Sequence, residues 1–218
     1  MSWLCSKLMD SGLLIVSSDR PIASGFTAFD EPLSEESSVN KGMLWALFDN
    51  ANGGSELIVN THMHATSAGI RAAQRRQLAC LLTRLRAEYR PAVVVVCGDF
   101  NESAVPPSQQ KRDFNGKTQF TATEEVVLSR GLHADLTAPP LNLVKLSDAG
   151  PEGTCIKDDG SGDTDELDHI YATVDTAAGL VLAPWEAAPP LRHPLSDHSL
   201  IAVHGICATT ATMHEQRI

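Results

Sequence analysis

Three short polar motifs, each beside an apolar run, constrain the fold of this 218-residue chain more than any other feature. Their sequences are NTHMHA, GDFN and SDH, and they lie at Asn60–Ala65, Gly98–Asn101 and Ser196–His198. The neighbouring runs are typical of buried β-strands, and they lie at Glu56–Asn60, Ala92–Cys97 and Leu200–Val203. Polar groups at strand ends form the clefts of α/β proteins, so the pattern predicts one α/β domain with a site at the edge of its sheet.

The composition is that of a globular protein and disfavours nucleic acid as a partner. Hydrophobic residues make up 43% of the chain, and the net charge is −10, which repels polyanions. No apolar run approaches the ~20 residues that cross a bilayer, and Leu13–Val16 is too short for the core of a signal peptide. The five cysteines lack CxxC spacing, so we interpret them, Cys80 and Cys97 included, as reduced core residues of an intracellular protein.

Apolar periodicity predicts most of the secondary structure. Leucines recur at helical spacing from Ala68 to about Tyr89, and the arginines opposite them are expected to form a solvated face. Those arginines are Arg71, Arg75, Arg76, Arg84 and Arg86. Strands are predicted at 12–17, 43–48, 56–60, 93–96, 167–174, 179–183 and 199–204. A second helix is predicted at 121–130, and loops at 23–40, 103–119 and 137–165.

With Glu166–Ile170, the motifs resemble those of the endonuclease/exonuclease/phosphatase superfamily of Mg²⁺-dependent phosphodiesterases. From about Met9 to His204 their order is similar to that in neutral sphingomyelinases. The further pieces that carry this resemblance are Ser11–Ile15, Lys41–Gly42 and a helix with Arg71 and Gln77. The resemblance implies a deoxyribonuclease-like four-layer α/β sandwich that hydrolyses sphingomyelin to ceramide and phosphocholine.

Asp99 and Asn101 follow a predicted buried strand and are two residues apart, so both side chains point the same way if the chain stays extended. Phosphodiester hydrolysis needs an acceptor for the attacking water and donors for a phosphoryl oxygen. The resemblance assigns the first function to Asp99 and the second to Asn101. Both residue types also favour ordinary turns, which is the simpler interpretation.

The resemblance places His62 beside the phosphate, where it stabilises charge in the transition state; otherwise it is a solvated histidine at a strand end. His64 is two residues further on, and an H-x-H pair suggests a zinc site. The Asp-His that continues zinc motifs of this kind is replaced by Ala65–Ser67, so we interpret His64 as structural.

Asp168 and His198 are predicted to form a carboxylate–imidazole pair, in which the carboxylate fixes the tautomer of the ring. The resemblance places this pair at the scissile phosphate and makes Asp197, with His198, a contact of the metal. The simpler interpretation is a polar strand start at Asp168 and a turn at Ser196–His198.

Lys41 is predicted, on weaker grounds, to contact the substrate. Glu36 is the equivalent of an acidic residue in the same family pattern. A Lys-Gly pair before a strand is also common in solvated turns, which is the simpler interpretation. The acidic run Asp158–Asp165 lacks the glycine and the closing glutamate of an EF-hand, so we interpret it as a solvated loop.

The resemblance also implies an N-terminal Asn and a metal-binding Glu that would precede Ser11, for which the chain has no room. We therefore expect one partial domain over residues 1–218, truncated at its N-terminus, with weakened affinity for Mg²⁺ or Mn²⁺. The expected partners are a lipid phosphodiester and, transiently, a membrane surface, in the cytoplasm or peripherally on a membrane. The alternatives are a nuclease or inositol-phosphate phosphatase on the same scaffold, or an inactive fragment or binding module.

Overall fold

The structure, a computed structural model, describes residues 9–30, 36, 38–50, 53–102, 135–146, 155–156, 164–173, 180–184 and 203–207. Within these ranges it contains one long helix, α1 at Ala68–Tyr89. The strands are β1 Met9–Asp10, β2 Ala23–Ala28, β3 Val39–Asn40, β4 Gly42–Asp49, β5 Ser55–His62, β6 Val93–Asp99, β7 Val144–Lys145, β8 Cys155–Ile156, β9 Thr164–Asp165, β10 Asp168–Ala172, β11 Leu180–Pro184 and β12 Val203–Cys207.

Six of these strands form one mixed sheet in the order β2-β4-β5-β6-β10-β7. Every neighbouring pair is antiparallel except β5 and β6, which are parallel and are joined through α1. A parallel pair needs such a crossover, because its two strands start at the same edge. The carboxyl ends of β5 and β6 therefore lie at one edge, and antiparallel β10 begins there.

Helix α1 covers one face of this sheet. Its leucines at 78, 82 and 85 are fully buried and pack against Leu57 and Val59 of β5 and Val94 and Val96 of β6. Burying each such side chain contributes about 1.5–3 kcal/mol, so this layer is the main core of the described chain. Alternation along β6 sends Val95 and Cys97 to the opposite face, where they pack against a smaller cluster of Leu146, Ile170 and Ala172.

The ends of α1 follow from its sequence. Ser67 is the N-cap, and its hydroxyl accepts a hydrogen bond from the Ile70 N–H at 3.3 Å. Arg90 ends the helix in the left-handed conformation at φ 48°, and its N–H bonds to the Arg86 carbonyl. Pro91 then excludes another helical turn. The predicted helix and the strands at 43–48, 56–60 and 93–96 are confirmed, as is the α/β fold.

Two predictions near the N-terminus are wrong. Residues 12–17 form no strand, and Leu14 and Val16 are 69% and 82% exposed, because no backbone among the described residues pairs with this apolar run in a ladder. The predicted loop at 23–40 instead contains β2, which pairs with β4 from Ala23↔Leu47 to Ala28↔Gly42. β2 is a strand because it pairs with β4, since a sequence that contains Ser24 and Gly25 does not by itself indicate a strand.

Three further predictions need correction or lie outside the described residues. The thiol of Cys80 is exposed on α1, whereas it was expected in the core. The predicted loop at 137–165 contains the short strands β7, β8 and β9. The predicted helix at 121–130, the loop at 103–119 and most of the acidic run at 158–165 lie outside the described residues. The described part of the chain has no helix with the length and apolar character that membrane crossing requires.

Candidate active site

His62, Asp99 and Asp168 meet at one edge of the six-stranded sheet. His62 ends β5 and is the register partner of Asp99, which ends β6. Asp168 begins β10 and is the antiparallel register partner of Asp99. Partners in register share a face of the sheet, so the three side chains leave the face opposite α1. Parallel pairing of β5 with β6 and antiparallel pairing of β6 with β10 thus bring together three residues that are far apart in the sequence.

The carboxylate of Asp99 is held by the residue two positions further on. Its Oδ1 accepts a hydrogen bond from the backbone N–H of Asn101 at 2.7 Å. Its Oδ2 accepts one from Asn101 Nδ2 at 3.2 Å and lies 3.5 Å from Nε2 of His62. A carboxylate held by two donors and facing an imidazole has one defined orientation, which a proton acceptor in catalysis requires.

A tight turn produces this arrangement. Gly98 has φ +132°, and a Cβ there would meet the carbonyl oxygen of Thr61 at 2.0 Å, so only glycine fits. Asn101 has φ +50°, a left-handed conformation that asparagine tolerates. The chain therefore does not stay extended after Asp99, and the Asn101 amide folds back onto the carboxylate.

The ring of His62 is oriented from its other nitrogen. Nδ1 lies 3.2 Å from the carbonyl oxygen of Ser11. A carbonyl can only accept, so this contact places a proton on Nδ1 and leaves Nε2 as the atom that faces Asp99. The side chain is 31% exposed, so a ligand in solution can reach it.

The backbone carbonyl of Met63 connects Lys41 to the same turn. It accepts hydrogen bonds from Lys41 Nζ at 2.6 Å and from Asn101 Nδ2 at 3.0 Å. The Lys41 ammonium also pairs with Glu36 Oε2 at 2.6 Å, and Lys41 is only 3% exposed. The structure therefore places Lys41 beneath the loop after His62, in contact with protein atoms.

Glu36 is the acidic partner in this buried pair. Burial raises the pKa of its carboxyl, but hydrogen bonds from Lys41 and the Ala65 N–H, with the charges of Lys41 and His64, outweigh burial, and the net pKa lies below the usual 4.5. The Ala65 N–H donates to Glu36 Oε1 at 3.0 Å. The pair stabilises the loop that follows His62.

His64 is buried under the same loop. Its Nδ1 accepts hydrogen bonds from the backbone N–H groups of Thr66 and Ser67, at 3.3 and 3.1 Å. The backbone N–H of His64 donates a hydrogen bond to Gln74 Oε1 on α1 at 2.9 Å. Its side chain is 1% exposed, so His64 shapes the loop from inside.

The predicted solvated face of α1 is wrong for two of its arginines. Arg75 is buried and Arg71 is half-buried, whereas both were expected on the solvated face. Arg75 forms ion pairs with Glu102, the residue after Asn101, and with Asp135. Helical spacing was the missed signal, because Arg71 and Arg75 continue the stripe of Leu78, Leu82 and Leu85 by steps of three and four.

His169 lies behind the site, where its ring contacts the rings of Phe100 and Tyr171. Its Nε2 is 2.8 Å from the carbonyl oxygen of Glu102, to which it donates. Burial lowers the pKa of His169 below its usual 6.5, although the Glu102 carbonyl and the charges of Glu166 and Asp168 oppose this shift. His169 is therefore neutral near pH 7.

The described residues fit a divalent metal only in part. Asp99 and Asp168 supply carboxylate oxygens, the donors that Mg²⁺ and Mn²⁺ use. Within the described ranges no group of three or more His, Cys, Asp or Glu side chains could hold a metal ion. Asp197 and His198, the predicted metal contacts and the predicted partner of Asp168, lie outside the described residues. A complete ligand set would therefore need them or a further group.

Similar structures share the fold. The human Nocturnin catalytic domain is 18% identical, with a TM-score of 0.52, and the match covers 86% of this chain and 60% of that one. A mannosyl-6-phosphatase from Bacteroides thetaiotaomicron is 14% identical (TM-score 0.52, 86% and 67% covered). Sphingomyelinase C from Streptomyces griseocarneus is 18% identical (TM-score 0.50, 85% and 64% covered). The chain thus spans 60–67% of the length of these three proteins.

The family is shown by the sequence itself. No curated protein matches the chain at a significant level. A family match extends from residue 10 to residue 198, which is most of the chain, and includes every predicted site residue. The enzymes of this family hydrolyse phosphate esters and generally depend on a divalent metal. The chain belongs to the endonuclease/exonuclease/phosphatase family.

Proposed function

We propose that this protein hydrolyses a phosphodiester with the help of a divalent metal, and that sphingomyelin is its substrate. The observation that carries the proposal is the convergence of His62, Asp99 and Asp168 at one sheet edge. Asp99 is oriented by two hydrogen bonds from Asn101 and lies beside an accessible imidazole. An oriented acceptor beside a proton-carrying ring is the arrangement that attack by water on phosphorus requires.

We propose a separate role in the reaction for each residue of the site. Asp99 accepts the proton of the attacking water through Oδ2. The contact of His62 Nδ1 with the Ser11 carbonyl orients the ring so that Nε2 faces the phosphate. When protonated, His62 stabilises negative charge on the phosphoryl oxygens. Asn101 fixes Asp99, and its Nδ2 could hold a phosphoryl oxygen after exchanging its bond to Met63. We propose that Asp168 and His198 form the carboxylate–imidazole pair at the phosphate.

A metal would be held by Asp197 and His198, the two predicted metal contacts. Mg²⁺, or Mn²⁺ in its place, supplies positive charge that neutralises the phosphate in the transition state. Lys41 supports this site from below: its ammonium holds the Met63 carbonyl, to which Asn101 also donates. We therefore propose that Lys41 acts on the substrate through this loop.

The choice of substrate rests on charge and on the order of the motifs. A net charge of −10 disfavours a polyanion such as DNA, whereas the headgroup of sphingomyelin is zwitterionic. The order of motifs from Ser11 to His198 is similar to that of neutral sphingomyelinases, and one structure with the same fold is a sphingomyelinase C. We propose an intracellular protein that touches the membrane surface transiently to reach its lipid.

The test is hydrolysis of sphingomyelin in mixed micelles with Mg²⁺, with Mn²⁺ and with chelator, beside DNA, an inositol phosphate and a chromogenic phosphodiester. We expect metal-dependent release of phosphocholine, which Asp99→Asn lowers by about 10²-fold or more. Asp49→Asn is the matched control, because Asp49 is an exposed aspartate that ends β4 at the opposite edge of the sheet.

Each other result has a distinct meaning. Turnover of the chromogenic diester alone would keep the reaction and reject the lipid. Turnover of DNA or of the inositol phosphate would assign those substrates. Equal activity of Asp99→Asn and Asp49→Asn would reject the site, and no metal-dependent turnover of any substrate would reject catalysis by this chain.

A further inference from the structure

A buried ion cluster lies directly behind the candidate active site, on the side of α1. Arg71 and Arg75 are one helical turn apart, and both face the carboxylate of Glu102. Arg75 is 2% exposed, and its Nε also donates to Asp135 Oδ2 at 2.6 Å. Arg75 donates a hydrogen bond to this carboxylate, and the guanidinium of Arg71 adds a second positive charge 3.8 Å away, so the carboxylate is held by two cations.

The cluster holds the loop that follows His62. Arg71 Nη1 donates to the carbonyl oxygens of His64 at 3.0 Å and Ala65 at 2.8 Å. Its Nε lies 3.8 Å from Glu102 Oε2. One arginine therefore connects the end of β5 to the end of β6.

The backbone of Glu102 connects the third strand. Its carbonyl accepts a hydrogen bond from His169 Nε2, and His169 follows Asp168 at the start of β10. Glu102 also follows Asn101, which fixes Asp99. The strand ends that carry His62, Asp99 and Asp168 thus share Glu102 as a common anchor.

We propose that Glu102 is a positioning residue, which, held by Arg71 and Arg75, sets the relative placement of His62, Asp99 and Asp168. This inference rests on the proposed phosphodiesterase function of the same site. Glu102 lies on the helix side of the loop and acts through Asn101 and the two arginines. Misplacement of catalytic groups by about 1 Å lowers rates by about 10²-fold, so loss of this anchor should lower kcat.

Arg75 offers a matched pair of variants, because it binds two carboxylates and only one of them follows Asn101. Glu102→Gln and Asp135→Asn each remove one negative charge from the same guanidinium with little change in volume. If the cluster only stabilises the fold, both variants lower thermal stability, and the two variants have the same kcat. If Glu102 positions the site, the two variants differ in kcat.

The expected kinetic result is a fall in kcat of tenfold or more for Glu102→Gln, with KM within twofold, and a kcat for Asp135→Asn within threefold of the parent protein. Arg71→Lys keeps the charge but not the planar fork, so it should behave like Glu102→Gln, and it replaces that variant if Glu102→Gln does not fold. Equal loss of kcat in Glu102→Gln and Asp135→Asn, or unchanged kcat in Glu102→Gln, would overturn the inference.

A spectroscopic measurement tests the positioning even if no substrate is hydrolysed. The Asn101 backbone N–H reports on its hydrogen bond to Asp99, and its NMR chemical shift and hydrogen exchange are independent of turnover. We expect faster exchange and a moved resonance in Glu102→Gln, and values near those of the parent protein in Asp135→Asn. The same change in both variants, or none in Glu102→Gln, overturns the inference, whereas failure of hydrolysis alone rejects only the proposed function.

Discussion

At the residue scale, the position of Asp99 depends on a neighbouring residue without a Cβ. Gly98 has φ +132° and lies against the Thr61 carbonyl, which a Cβ would meet at 2.0 Å. We expect Gly98→Ala to cost more than about 3 kcal/mol, because β5 and β6 would have to separate where they carry His62 and Asp99. The measurement is the free energy of unfolding in urea, with activity on the proposed substrate as a second readout.

Gly53 separates the two causes of this loss. It also has a positive φ, +86°, but nothing lies within 4 Å of a Cβ built there. Gly53→Ala should therefore cost only the backbone strain, about 1–2 kcal/mol, without an effect on activity. If the two alanine variants lose the same stability, the contact with Thr61 does not constrain the turn.

The residues of the site differ in how far the sequence could predict them. The meeting of His62, Asp99 and Asp168 follows from strand ends, since β5 and β6 end, and antiparallel β10 begins, at the same edge of the sheet. The sequence could not predict that Asn101 folds back onto Asp99, because this depends on two positive φ angles. Arg75 was missed for another reason: its charge suggested solvent, although its helical position placed it inside.

At the scale of the secondary-structure element, α1 ends on a residue in a strained conformation. Arg90 has φ 48°, which costs a residue with a Cβ about 1–2 kcal/mol, whereas glycine adopts it freely. We expect Arg90→Gly to raise the free energy of unfolding by about 0.5–1 kcal/mol, since the gain exceeds the entropy that glycine loses on folding. Chemical denaturation followed by circular dichroism measures this change.

Ala87→Gly is the control for the same substitution inside the helix. Ala87 is exposed in the last turn of α1, so glycine there should lower stability by up to about 1 kcal/mol. Opposite signs for the two variants are the expected result. A loss of stability in both would mean that the left-handed cap does not strain Arg90.

The elements also show what local sequence determines and what it does not. The helix at 68–89 was predicted because its leucine stripe is a local feature of the sequence. The predictions for β2 and for residues 12–17 were wrong in opposite directions, a loop for a strand and a strand for a loop. Both errors arose because a strand needs a paired neighbour. β2 contains glycine and serine but pairs with β4, whereas 12–17 is apolar and has no ladder partner among the described residues.

At the scale of the whole molecule, two effects of opposite sign act on stability as the pH falls from about 7 to 5.5. The net charge is −10, so the negative charges of the folded protein repel one another. Protonation on acidification lowers this net charge, which reduces the repulsion and stabilises the fold. Salt screens this effect, with a Debye length of about 10 Å at 0.1 M. Burial of neutral His169 acts in the other direction, and salt screens it little, because the ring lies inside the protein.

The sign for His169 follows from proton binding. Its pKa is lowered in the folded protein, chiefly by burial, so between the folded pKa and the usual 6.5 the unfolded chain binds more protons than the folded protein. At 0.5 M NaCl we therefore expect the free energy of unfolding to fall as the pH decreases from about 7 to 5.5, by at most about 1.4 kcal/mol per pH unit, the limit for one proton. His169→Gln, whose amide can still donate to the Glu102 carbonyl, should flatten this slope while the parent protein keeps it. Urea denaturation of both proteins at matched pH and salt measures the difference. An equal slope in both would mean that His169 does not stay neutral in the folded state, and that the support behind the active site is charged rather than neutral near pH 6.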